Sequence, residues 1–188
     1  MDFIELVKKR RSIRSFNGRP VPREHLTLCT EAATYAPSAC NSQPWALIIV
    51  DDEKQKKLLS NNIFKGIYKR CAFAKTAGAY IVVVSERPKI TAALGGLLRN
   101  TDFKKIDVGI ATEHLVLQAT ELGIDSCYLG WFNERKTKKI LKIPSSKKVE
   151  LVIALGYRND IKLRDRRLKE TNDVIKINKY SSEHSGKR

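Results

Sequence analysis

From Ile106 to Leu122 the chain runs without a proline, carries apolar side chains on nearly every face, and stops at Gly123. A helix of that pattern cannot lie on a surface with one side in water; it has to be surrounded by protein. Any fold open to this sequence must therefore be built around a long central helix. The 188 residues, 42% of them apolar, suffice for one domain with one core.

The flanking segments supply the rest of that core. Ala46-Leu47-Ile48-Ile49-Val50, Tyr80-Ile81-Val82-Val83-Val84 and Val149 through Leu155 are short, apolar and rich in β-branched residues, and read as buried strands. Asp125 to Phe132 reads as a further strand or extended run. Helical spacing predicts helices over residues 2–11, with a capping-box-like Asp2 and Glu5, and around Leu26, Cys29, Ala32 and Ala33, ending before Pro37. Lys54 to about Lys75 is helix-like, and Asn133 is placed to cap a basic helix through Leu141. Residues 86–105, with Pro88, Gly95 and Gly96, give no clear pattern. The element order is α+β or α/β, in a single domain spanning 1–188 with a basic tail from about 159.

Three short stretches carry chemistry. Arg10, Arg11, Ser12 and Arg14 set three guanidinium groups and a hydroxyl close together, and guanidinium groups bind phosphate oxygens bidentately. Taken alone, a solvated basic helix end explains the cluster equally simply. Between the second helix and the first strand, Pro37, Ser38, Ala39, Cys40, Asn41, Ser42, Gln43, Pro44 and Trp45 form a stiff loop of turn residues, hydroxyls and amides, able to read the polar edge of a ligand. Its plain alternative is an ordinary helix-to-strand connection. Leu129, Gly130 and Trp131 end a strand whose glycine has no side chain to block an approach to the backbone; a buried strand ending in aromatics is the competing explanation.

Together and in this order, the stretches Arg10-Arg11-Ser12-Ile13-Arg14, Pro37 to Trp45 and Leu129-Gly130-Trp131-Phe132 resemble the flavin-dependent nitroreductase family, over roughly residues 3–158. The resemblance implies an α+β fold with a mainly antiparallel central sheet flanked by helices around a long buried helix. It also implies a homodimer with two FMN molecules at the subunit interface. Carried over by position, Arg10, Ser12 and Arg14 would reach the phosphate, ribityl chain and N1 edge, with Arg11 beside them. Pro37, Ser38, Ala39, Asn41 and Gln43 would come from the partner or its border, and the Leu129-Gly130-Trp131 backbone would face the ring. Tail arginines Arg164, Arg166 or Arg167 would close on the phosphate. The implied activity is hydride transfer from NADH or NADPH through FMN to a small electron-poor acceptor: a nitroaromatic, a quinone or free flavin. Alternatives are a flavin-binding storage or sensing protein, or a relative that dehalogenates aromatic rings or cleaves flavin. The segment before the second strand offers Cys71 and Lys75 where longer relatives use an asparagine and a lysine, so the pyrimidine contacts are unassigned.

Composition narrows the alternatives. A formal charge of +16, from 36 Lys and Arg against 20 acids, draws anions to the surface. The aromatics Trp45, Tyr128, Trp131 and Phe132 lie in the ligand motifs and not between basic residues, so nucleic acid is not the expected partner. Cys29, Cys40, Cys71 and Cys127 lie more than ten residues apart, with no metal-ligand spacing, and His25, His114 and His184 add none. No metal is expected. No apolar run approaches membrane-span length, and the expected location is cytoplasmic.

Overall fold

The computed structural model describes residues 2–88, 90–159 and 165–180. Its centre is a four-stranded, wholly antiparallel sheet of β1 (Trp45–Val50), β2 (Ala79–Ser85), β3 (Asp125–Leu129) and β4 (Lys148–Gly156), in the order β1-β2-β4-β3. Every residue of β2 is buried, because alternate side chains feed two different helical layers. Ala79, Ile81 and Val83 face α2 (Arg23–Thr34) and α5 (Phe103–Glu121). Tyr80, Val82 and Val84 face the opposite layer, formed by α3 (Glu53–Ile63), the 3₁₀ segment Gly66–Thr76 and α6 (Glu134–Leu141). Two cores on one sheet make an α+β sandwich, as expected.

The sequence reading departs from the structure at instructive places. The first helix, α1 (Phe3–Lys9), stops short of residue 11, and Asp2 makes no side-chain cap. From Arg10 the backbone is extended because Ile13 N–H donates to Ser126 O at 2.9 Å, and Ser12 pairs in parallel with Ser126. The edge of β3 overrides helical spacing. Similarly, the helix expected from Lys54 to Lys75 is two elements, broken at Phe64 and at Gly66, whose φ is +61°. The unread stretch contains α4 (Ile90–Leu98). In the tail, a single turn α7 (Thr171–Val174) lies among residues 165–180, all exposed except Lys176.

The central helix is covered along one stripe: Asp107, Val108, Ala111, Thr112, Leu115, Val116, Ala119 and Thr120 are buried. Its other face is left partly open among the described residues. Ile106 is 50% exposed and Gly109 is exposed, with Phe3 and Ile4 of the adjacent α1 also in the open. Among the described residues no helix is long and apolar enough to cross a membrane.

On the other layer, Asn133 caps α6 as expected, its Oδ1 accepting from Lys136 N–H. Glu134 then ties α6 to β4: it accepts from Val149 N–H at 3.1 Å and meets Lys138 and Lys148. Burial pushes its carboxyl up, but these three donors outweigh it and hold the group at about 2. A carboxylate lowered below its unfolded value stabilises the fold above that value, near 4.5, and loses its contribution as pH falls toward 2. Glu134→Gln is expected to cost about 1 kcal/mol at pH 7, after allowance for solvent screening. Urea titrations at pH 7 and at pH 3 check this, the gap between variant and parent narrowing at the lower pH.

Candidate functional site

The first and third motifs meet at one edge of the sheet. Ser12 bridges Ser126 in parallel at the edge of β3, and Cys71, which hydrogen-bonds the backbone of Trp131, lies within electrostatic reach of Arg14. Arg14 is exposed and lies close enough to Cys71 and Cys127 to favour their thiolates electrostatically. Burial still dominates and pushes both thiols up, so neither is an activated nucleophile. The floor beneath this corner is the 3₁₀ segment. Trp131 Nε1–H donates to Ile67 O at 2.7 Å, and its ring lies 5.6 Å from that of Tyr68.

Gly130 is not explained by its own chain. A Cβ built there meets nothing within 4 Å, and its φ lies outside the left-handed region. Open space over the backbone at a strand end, with an exposed guanidinium in electrostatic reach of Cys71 under the next residue, fits a flat anionic ligand that approaches the main chain. The first arginine of the cluster faces elsewhere: Arg10 Nε lies 3.7 Å from Glu113 of α5, whose other oxygen accepts from Tyr128 O–H at 3.3 Å. Arg11 is half-buried and Ser12 exposed.

The second motif sits at the same end of the sheet but on the opposite edge. It leads into Trp45, the first residue of β1, whereas Gly130 follows β3, three strands away, or about 14 Å at ordinary strand spacing. Ala39–Asn41 form a 3₁₀ turn, and Cys40, Asn41 and Gln43 all take positive φ, between 46° and 52°. Three such residues without glycine cost on the order of 1 kcal/mol each and persist only where surroundings impose them. The imposing contacts are on hand: Ser38 Oγ accepts from Gln43 N–H, Gln43 Nε2 donates to Asn41 Oδ1, and Ala39 N–H donates to both oxygens of Asp107 at 3.2 Å. A buried acid thus holds this strained backbone in place.

The structure thus joins Ser12, Arg14, Leu129, Gly130 and Trp131, and sets Pro37, Ser38, Ala39, Asn41 and Gln43 apart from them within one chain. Arg166 and Arg167 are exposed, and Arg164 lies outside the described residues. Asp107 and Glu113 escaped the sequence reading. Their signal was an acid inside an otherwise apolar helix, which needs a partner to be buried.

Comparison with known proteins gives a consistent picture. Residues 7–157 match the Nitroreductase family. A protein of Archaeoglobus fulgidus provisionally named NADH dehydrogenase/NAD(P)H nitroreductase is 33% identical, covering 85% of this chain and 87% of its own. A crystal structure of a nitroreductase family protein from Clostridium novyi NT superposes with a TM-score of 0.73 at 33% identity, over 85% and 87% of the two chains. An oxidoreductase containing FMN superposes with a TM-score of 0.74 at 26% identity, over 96% of this chain and 94% of that one.

Proposed function

The chain belongs to the nitroreductase family, and from that premise we propose that it is an FMN-dependent oxidoreductase drawing hydride from NADH or NADPH. The acceptor is an electron-poor small molecule: a nitroaromatic, a quinone or free flavin. The observation that carries this reading is the open space over Gly130, next to Trp131, whose backbone hydrogen-bonds Cys71 within the electrostatic reach of Arg14. When bound, FMN supplies the hydride relay, and the protein supplies position, charge and access.

Each residue has a part in that division of labour. The guanidinium groups of Arg10, Arg11 and Arg14, with the Ser12 hydroxyl, bind the phosphate and ribityl oxygens, and Arg14 places a cation at the N1 edge of the ring. Arg10 reaches that position by exchanging its ion pair with Glu113 for the phosphate. The Gly130 and Trp131 backbone approaches the ring, and Trp131, 52% exposed and pinned through Ile67 and Tyr68, bounds it.

A single chain cannot bring the 37–43 loop to this corner, so the working form is a homodimer. The loop of one subunit completes the site of the other, and the uncovered face of α5 is the contact. Two sites per dimer follow from the two-fold symmetry.

Donor and acceptor use the same pocket in turn, so initial rates at varied concentrations of both are expected to give parallel double-reciprocal lines. Intersecting lines contradict the shared pocket. Removing the cation with Arg14→Ala is expected to lower turnover about 10- to 100-fold, the loss of a hydrogen bond to a charged group. Unchanged turnover with unchanged FMN affinity takes Arg14 out of the site.

A further inference from the structure

Two cavities adjoin at the N-terminal end of α5, and none of the residues assigned to FMN lines either. One, of about 460 Å³, is walled by Ala92, Ala93 and Gly96 of α4, by Phe103, and by Asp107, the acid that holds the 37–43 loop through Ala39. The other, of about 380 Å³, lies where the end of β2 meets the start of β4, ringed by Arg87, Lys104, Lys147 and Lys148. Pro88 and Lys104 line both, so the two spaces are contiguous.

The second cavity has more positive charge than the chain balances. Glu86 is the one carboxylate among its described lining residues, and it pairs with Lys147. Lys148 is paired outside the cavity with Glu134. Among the described residues no carboxylate pairs with Arg87 or Lys104. Cations gathered in a concave site repel one another and focus the field on whatever anion enters. Ser85 and Ser146 add hydroxyls to the wall, and Lys104 stands in the first turn of α5, where the helix dipole also favours an anion.

We infer that the Arg87, Lys104, Lys147 and Lys148 cavity takes the pyrophosphate of the dinucleotide donor, whose nicotinamide half lies along the adjoining cavity toward the 37–43 loop. The inference rests on the proposed use of NADH or NADPH. A nicotinamide, with an apolar ring face and a polar carboxamide, suits a wall that sets Ala92, Ala93, Gly96 and Phe103 beside Asn100, Thr101 and Asp102, and a polyanion suits the cationic ring. The contiguity of the two at Lys104, and the tie from Asp107 to the loop, join them into one path to the flavin. A single free phosphate would account for the charge but not for the attached second cavity.

The test is steady-state reduction by NADPH, by NADH, and by a phosphate-free N-alkyl dihydronicotinamide, in the parent and in Arg87→Gln and Lys104→Gln. Calorimetry with inorganic pyrophosphate runs alongside. Each variant is expected to raise KM for both dinucleotides about tenfold, the loss of a charge-assisted hydrogen bond, with little change in kcat. The phosphate-free donor is the internal reference and keeps its KM. Pyrophosphate is expected to bind the parent and to bind either variant about tenfold more weakly. Dinucleotide KM values unchanged in both variants overturn the assignment while leaving the donor reading intact, even if pyrophosphate binds. Reduction of the parent by the phosphate-free donor but by neither dinucleotide overturns the donor reading itself.

Discussion

Replacing Gly130 by valine is expected to leave the chain folded and to strip it of FMN. The position is exposed, a Cβ there meets nothing within 4 Å, and the backbone is not in the left-handed region. Within the chain alone the substitution is therefore tolerated, within about 0.5 kcal/mol. If a flavin ring lies against this backbone, two added methyl groups occupy its place, and overpacking of that kind costs about 1–3 kcal/mol or more. The expected result is an unchanged apoprotein melting temperature with FMN affinity lowered at least about tenfold. A valine variant that keeps FMN at the parental affinity moves the ring elsewhere.

The second large effect is expected at Gly109. A glycine in mid-helix costs about 1 kcal/mol relative to alanine, and this one is exposed with open space around it. For a monomer it is a defect without a purpose. Against a second chain it permits close approach of α5, flanked by the exposed Ile106, Phe3 and Ile4. Gly109→Trp is expected to yield folded monomers by light scattering and to lose FMN with them, because in the proposed dimer the 37–43 loop reaches the Arg14 corner from the other subunit. A tryptophan variant that remains dimeric and yellow places the interface off α5. The joint loss distinguishes the shared site from a merely dimeric protein.

Much of this was legible before any coordinates, for a physical reason: strands β2 and β4 and helix α6 are set by local pattern. A run of β-branched residues buried on both faces, or an asparagine before a basic helix, means the same wherever it occurs. The three motifs were legible too, since turn residues, clustered guanidinium groups and a strand-end glycine advertise backbone shape and charge directly. What escaped is non-local. Helical spacing carried α1 past Arg10, but the edge of β3 captures Ile13. Nothing near Arg10 announces Glu113, a hundred residues away in sequence, and nothing near Ala39 announces Asp107. The break at Gly66 had a local sign, its glycine, which the mixed charges on either side obscured. The central helix shows both sides of the matter. Its pattern calls for burial all round, the described residues bury only a stripe, and the second copy proposed above covers the remainder.

The most direct measurement is the visible absorption spectrum of the purified protein, recorded anaerobically before and after NADPH and NADH are added, and again after a nitroaromatic or quinone. The account predicts a flavin spectrum that bleaches with at least one nicotinamide and returns with the acceptor. A colourless protein that takes up no added FMN, or a flavin spectrum that neither nicotinamide alters, contradicts it.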